Sequence, residues 1–359
     1  MKKIRDSLYI GWTIAAKDVR DAFKNKATRT NILILIGLVL FFYWSSTIRP
    51  FDKRVNVVVF DQGESNFTFA RTVLQDESEL NFREASSFEE MEKKMAYQDL
   101  GMVIPANIDQ VVDAGEELNL TGYIHWGKRG QAAELEVKYS AMFTELLGVP
   151  VQVEIGDNIL IPPSDALGMA STTSFHVFFA VFWMALTVVP FLIIEERKTK
   201  TMDALLVSPA SPGQVVFGKA LAGLIFIFAI AGLSLALNGI YVTLWGWALL
   251  GFFLTALFAI GIALLMGSLI RSGQQISLWM LPVALVFVVP AFFADEPNLT
   301  AGLKSVLSWL PSTALAKVLS FSVSNGPPPD QLAFNLVIAL VSIALVYWLV
   351  IWQVRRSDR

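Results

Sequence analysis

Residues 208–220 read SPASPGQVVFGKA. Within them Gly213, Gly218 and Lys219 complete G-x-x-x-x-G-K, the core of a loop that cradles nucleotide phosphates. Two folds compete for this stretch. A phosphate loop needs a preceding strand, a glycine-rich turn whose amides face the phosphates, and a hydroxyl after the lysine for magnesium. Here Pro209 and Pro212 precede the motif, Val215, Val216 and Phe217 fill the turn, and Ala220 stands where Ser or Thr is required. The same residues fit a helix start far better. Ser211-Pro212-Gly213-Gln214 is a capping box, with Ser211 as N-cap, proline at the first helical position and glutamine at the third. A long apolar run follows. The stretch opens a membrane-spanning helix, with Lys219 one turn in and placed to snorkel to the headgroups.

The rest of the chain agrees. Of 359 residues, 54% are hydrophobic and 16% charged, where a soluble protein carries about 25% charged. The apolar residues concentrate in six runs, at 31–48, 175–194, 215–240, 244–270, 276–294 and 333–352. Each is long enough to cross a hydrocarbon core of about 30 Å. The first is not read as a cleavable signal, because a long basic segment precedes it and no A-x-A-like site follows. Cysteine is absent, which excludes disulfides, thiolate metal sites and thiol nucleophiles. His125 and His176 lie too far apart in sequence to favour a histidine metal site. Neither a catalytic set nor a metal site is expected.

Charge sets the orientation. The segment before the first run, the second-to-third and fourth-to-fifth connections and the tail together hold 16 basic and 7 acidic residues. The other side holds 12 basic and 24 acidic. Both termini are therefore expected in the cytoplasm.

The first-to-second connection, 49–174, then forms an extracellular domain. VNVVVF (55–60), LNFREA (80–85), LGMVIPA (100–106), LNLTGYIHW (118–126) and, as the last, VQVEIG (151–156) read as strands. TFARTVLQ (68–75), SSFEEMEKKM (86–95) and QAAELEVKYSAMFTELLG (131–148) read as helices, the second opened by Ser87 and Glu90 at capping-box spacing. An α/β domain with a mixed sheet is the expectation, and its acidic surface is read as a solubility device. Before the first span, within 1–30, Ile4, Leu8, Trp12, Ala15 or Ala16, Val19 and Phe23 recur at helical spacing among Lys, Arg and Asp. They predict an N-terminal interfacial amphipathic helix.

After the second span, EERKTKTMDALLVSP (195–209) places Met202, Leu205 and Leu206 on one side of a short helix at about 196–207, which Ser208-Pro209 breaks. Apolar residues at that spacing suit a docking element. The stretch from Glu196 through Pro209 resembles the coupling segment of type-2 ATP-binding cassette export permeases, departing at Lys200, where the family commonly carries glycine. The layout resembles theirs too: interfacial helix, one span, a large outer domain, five further spans. The fold class implied is an α-helical polytopic membrane protein with six transmembrane helices and an α/β extracellular domain between spans one and two. The span region runs 175–354 and the cytoplasmic tail 355–359.

The resemblance implies a permease subunit, not an enzyme, that exports substrate by alternating access. A separate ATPase chain would carry ATP and Mg, and a second permease chain, identical or sister, would complete a dimer in the plasma membrane of a bacterium or archaeon. The ATPase would dock on the coupling helix through Thr201, Met202, Asp203, Leu205 and Leu206, with Glu195, Glu196 and Arg197 shaping the join to the span. The substrate path is implied at the interface between permeases, lined by spans two and five, with Phe179, Trp183 and Phe287 as candidates suited equally to facing lipid. Asn238 reads as an interhelical hydrogen bond before a substrate contact, and His176 as an interfacial residue. Pro190, Pro282 and Pro290 kink their helices. Between spans five and six, 303–321 is apolar but broken at Pro311, the pattern of two short re-entrant or interfacial helices. A membrane-anchored sensor would explain the outer domain but not the five later spans. A membrane enzyme lacks any paired acid and base, nucleophile elbow or metal cluster.

Overall fold

The computed structural model describes residues 2–48, 55–62, 80–95, 98–161, 169–198, 211–270, 272–293, 299–324 and 330–357. In chain order its elements are α1 (Lys2–Lys24), α2 (Lys26–Ile48), β1 (Val55–Asp61), β2 (Leu80–Ala85), α3 (Phe88–Met95), β3 (Leu100–Ile104), α4 (Ile108–Ala114), β4 (Leu118–His125), α5 (Ala132–Leu147), β5 (Val151–Glu154), β6 (Ile159–Leu160), α6 (Met169–Lys198), α7 (Pro212–Leu237), α8 (Trp245–Leu269), α9 (Gly273–Phe293), α10 (Ala301–Ser308), α11 (Pro311–Phe321) and α12 (Leu332–Ser357). They fall into two compact units. One holds Met1–Thr47, Thr173–Ser322 and Pro328–Arg359, the other Ile48–Thr172 with Val323–Pro327.

The inserted unit is built on a mixed sheet in the order β2-β1-β3-β4-β5. β1 runs parallel to both β2 and β3, β4 is antiparallel to β3, and β5 is parallel to β4. Side chains alternate across a strand. Val57 and Val59 therefore join Leu100, Met102 and Ile104 in one core, under Leu135, Tyr139 and Phe143 of α5. Val58 and Val103 point the other way and meet Met91 and Met95 of α3. With both faces covered, β3 is buried at every position, which is why LGMVI shows no polar alternation.

Two local expectations change. VQVEIG is not the last strand, because β6 follows and pairs with β4 at Ile124 and His125. The N–H groups of Leu118 and Ile124 donate to Pro150 and Asn158, and their even spacing puts β5 and β6 on the same edge of β4. The Ser87–Glu90 box is also offset. The Glu90 N–H donates to Ser87 Oγ at 3.1 Å, but its carboxylate accepts from the N–H and hydroxyl of Ser86, not from the Ser87 N–H. The helix α4 was not anticipated; it is short, and a left-handed Gly115 (φ 65°) ends it. The expected helix at 68–75 lies outside the described residues.

Among the described residues of the other unit, five helices are long and apolar enough to cross a membrane: Thr172–Ile194, Pro212–Leu237, Trp245–Leu269, Gly273–Phe293 and Leu332–Arg356. A sixth crossing requires α1 and α2, which bend by 84° between them. Burial sorts the helices. Of the most apolar window in each span, 83% is buried in α6 but only 17% in α9 and 22% in α12. The inner helix is packed by protein; the other two turn Leu278, Trp279, Leu285, Leu340, Val341 and Trp348 outward. So much exposed apolar surface would aggregate in water and suits lipid. Pro190 lies inside α6, and a Cβ on Gly267 of α8 would stand 2.9 Å from its Cα and carbonyl oxygen. The missing side chain lets the two backbones meet at the proline.

The break at Pro311 separates α10 from α11 as expected, and the two differ in setting. No residue of α10 is buried, whereas α11 packs Ala314, Leu315 and Val318 inward. The carbonyl of Ser322, just past α11, accepts from the N–H groups of Thr243 and Leu244 at 2.9 and 3.0 Å. That ties the hairpin to the start of α8.

Candidate functional site

The segment singled out for docking is carried between the end of α6 and the start of α7. The described part of α6 runs through Glu196, Arg197 and Lys198; the side chains of Glu195, Glu196 and Arg197, and all of Thr201, Met202, Asp203, Leu205 and Leu206, lie outside the described residues.

The start of α7 is the capping box. Gln214 N–H donates to Ser211 Oγ at 3.4 Å and the Ser211 N–H donates to Gln214 Oε1 at 2.8 Å, with Pro212 opening the helix. Residues 212–220 are helical throughout, so the glycines and the lysine of the near-motif form no nucleotide turn.

Lys219 does not snorkel. Its side chain is 2% exposed, and Nζ lies 3.3 Å from Oδ2 of Asp18, itself 5% exposed. Nζ also donates to the carbonyl of Leu192 in α6 at 3.1 Å. A buried ammonium is tolerated only when paired and hydrogen-bonded, and here the acceptors come from α1 and α6. Snorkelling fails because α1 covers this face of α7. A Cβ on Gly218 would meet Ile14 Cβ at 2.7 Å and the Gly11 carbonyl at 3.0 Å. Further along, the rings of Phe23 and Phe226 meet at a tilt of 45° with centroids 5.5 Å apart. The glycines permit a close crossing, and the crossing encloses the charges.

The apolar stripe of α1 is correspondingly split. Gly11, Ile14, Ala15, Asp18 and Ala22 are buried, while Leu8, Trp12 and Phe23 are exposed. The stripe read from the sequence takes in exposed Leu8, Trp12 and Phe23 together with buried Ala15, and it omits Gly11, Ile14, Asp18 and Ala22, which are buried. A lysine inside an apolar span was the available signal, together with an aspartate one turn from Ile14 and Ala15.

The aromatic candidates separate into two groups. Phe179 stacks on Trp183 at 5.3 Å and meets Phe42 of α2 edge-on at 5.9 Å. Phe42 in turn stacks on His176 at 4.8 Å. Phe287 of α9 packs instead on Phe182 and Phe258, at 6.0 and 5.6 Å. Asn238 uses its amide within its own helix, donating from Nδ2 to the Ser234 carbonyl at 2.8 Å. It caps the end of α7.

A bundle of apolar helices, its most buried member locked at one end and its outer members turned to lipid, defines a polytopic membrane protein. The chain belongs to the ABC-2 family of transporter proteins, whose family model, described as "ABC-2 family transporter protein", matches residues 31–352. Comparison with curated proteins gives no match. It is accordingly a permease of an ABC transporter, a transport subunit that is not itself catalytic.

Proposed function

We propose that this chain is the membrane subunit of an exporter, moving substrate outward by alternating access while a separate ATPase chain binds ATP and Mg and hydrolyses the nucleotide. The observation that carries the reading is the family match across residues 31–352. The coupling segment at about 196–207 supports it, since Met202, Leu205 and Leu206 offer an apolar face between charged residues, the pattern of an anchor with a polar rim. Thr201 and Asp203 flank that face, and Glu195, Glu196 and Arg197 join it to α6. A second permease chain, identical or sister, would meet this one beside α6 and α9, whose aromatics Phe179, Trp183 and Phe287, with Asn238 at the end of α7, are the proposed path. Charge bias supports a topology with both termini in the cytoplasm and the α/β unit outside, and the proposed setting is a bacterial or archaeal plasma membrane.

The test is the double substitution Leu205→Asp and Leu206→Asp in the native complex. The variant is expected to insert normally and to leave ATP hydrolysis uncoupled from transport. Transport at the parental rate, or failure of any ATPase to co-purify with the parent chain, overturns the reading.

A further inference from the structure

We propose that Asp18 and Lys219 are positioning residues for coupling: they close a three-helix clamp through which a push on residues 199–210 reaches the membrane helices. The inference rests on the exporter reading above, and deepens it.

The geometry carries it. Residues 199–210 leave from α6 and return into α7, so whatever moves this segment acts first on those two ends. Lys219 sits eight residues past the Ser211 cap, about 12 Å along the helix at 1.5 Å per residue. From there its ammonium reaches back to the Leu192 carbonyl, six residues before the end of α6. One side chain thus joins both feet of the segment. The same ammonium holds Asp18, which brings in α1, and Gly218 lets α1 approach closely enough for that contact. The feet are therefore pinned to each other and to a third helix. Without the link, a displaced segment would spread or twist its feet. With it, α1, the end of α6 and the start of α7 move as one body.

Burial explains why a charged link serves where an apolar contact would not. Apolar side chains slide past one another at small cost, whereas a buried ammonium that leaves its acceptors has no water to replace them. The clamp has one register. The capping box adds to this by fixing where α7 begins.

Hydrogen–deuterium exchange of the full chain with its co-purifying ATPase, read by mass spectrometry, tests the clamp. In the parent, ATP with vanadate is expected to change exchange in 199–210 and also at the far ends of α6 and α7. In Lys219→Met the change should stop at the segment while ATP hydrolysis continues. Even without nucleotide, Lys219→Met should raise exchange by about tenfold in α1, the end of α6 and the start of α7 together. Lys219→Arg, which keeps a donor for both acceptors, should restore parental behaviour. Because Lys219→Met removes one charge of a buried pair and leaves the other in place, the paired variant Asp18→Leu with Lys219→Met is needed. It removes both charges, should fold, and should still fail to transmit.

Parental transmission in that paired variant overturns the clamp, as does a rise in exchange confined to α7. If no ATPase accompanies the parent chain, the exporter reading fails by itself. The nucleotide-free comparison then decides the clamp: a joint rise in the three elements supports the link, and its absence removes it.

Discussion

A carboxylate on the surface of the inserted unit shows how much one residue's neighbours decide. Glu90 is held by Lys94, with Nζ 2.7 Å from its Oε1, and by Ser86 on its other oxygen. Those contacts, Lys94 first, lower its pKa from 4.5 to about 2. A depressed carboxyl stabilises the fold fully above the unfolded value and loses that contribution as pH falls through the folded one. The window here is therefore from 4.5 down to about 2. In the full chain carrying carbon-13 glutamate, one carboxyl resonance is expected to titrate near 2, and Glu90→Gln should remove it. A midpoint near 4.5 would contradict the contacts. The residue scale also marks what sequence can tell. Ser211 and Gln214 are legible because a capping box is local. Lys219 is legible only as a charge inside an apolar run; the pairing is not, because its partner lies 201 residues away.

Among elements, the pairing of α5 with β5 is the least expected from sequence. The N–H groups of Val151, Val153 and Ile155 point away from β4 and would be left open at the edge of the sheet. They donate instead to Thr144 Oγ1 at 2.9 Å, Ser140 Oγ at 2.8 Å and Glu136 Oε1 at 2.9 Å. These acceptors recur every four residues along α5, one face of the helix serving one edge of the sheet. Ser140→Ala leaves the Val153 N–H without its acceptor and is expected to cost about 1–3 kcal/mol, measured as a lowered unfolding midpoint of the full chain. The stripe escaped the sequence reading because Glu136, Ser140 and Thr144 look like an ordinary solvent face. Their meaning appears only when β5 is laid against them. The strands themselves were legible, as were the long helices, since alternation and unbroken apolar runs are local patterns. β6 and α4 were not: two and seven residues are too few to show a period, and neighbouring structure selects them.

At the scale of the whole molecule, the sorting of charge makes the strongest claim. The chain has no cysteine, so one introduced thiol reports one location. Asp113→Cys, on the exposed end of α4, is expected to react with an impermeant maleimide in intact cells. Arg5→Cys, exposed on α1, should react only after lysis. The opposite pattern would invert the proposed orientation and put residues 199–210 out of reach of any cytoplasmic ATPase. Five of the apolar runs in the sequence correspond to the five long apolar helices among the described residues; the run at 31–48 falls in α2, which reaches a crossing only together with α1. The internal order of that unit, with α6 enclosed and α9 and α12 outward, was not legible, because all of these runs are nearly equally apolar along their length.

The distance along the chain between Asp18 and Lys219 also has a meaning in time. At about 5–20 residues per second of synthesis, 201 residues separate the two on the order of 10–40 s. Throughout that interval α1 exists without the helix that will enclose its aspartate. Leu8, Trp12 and Phe23 stay exposed even in the finished fold, so the seating of α1 depends on its other side, the one that holds Asp18. The burial of Asp18 is thus a late event of biogenesis, dependent on α7 being made and inserted. A helix made before α7 is thus seated only after it.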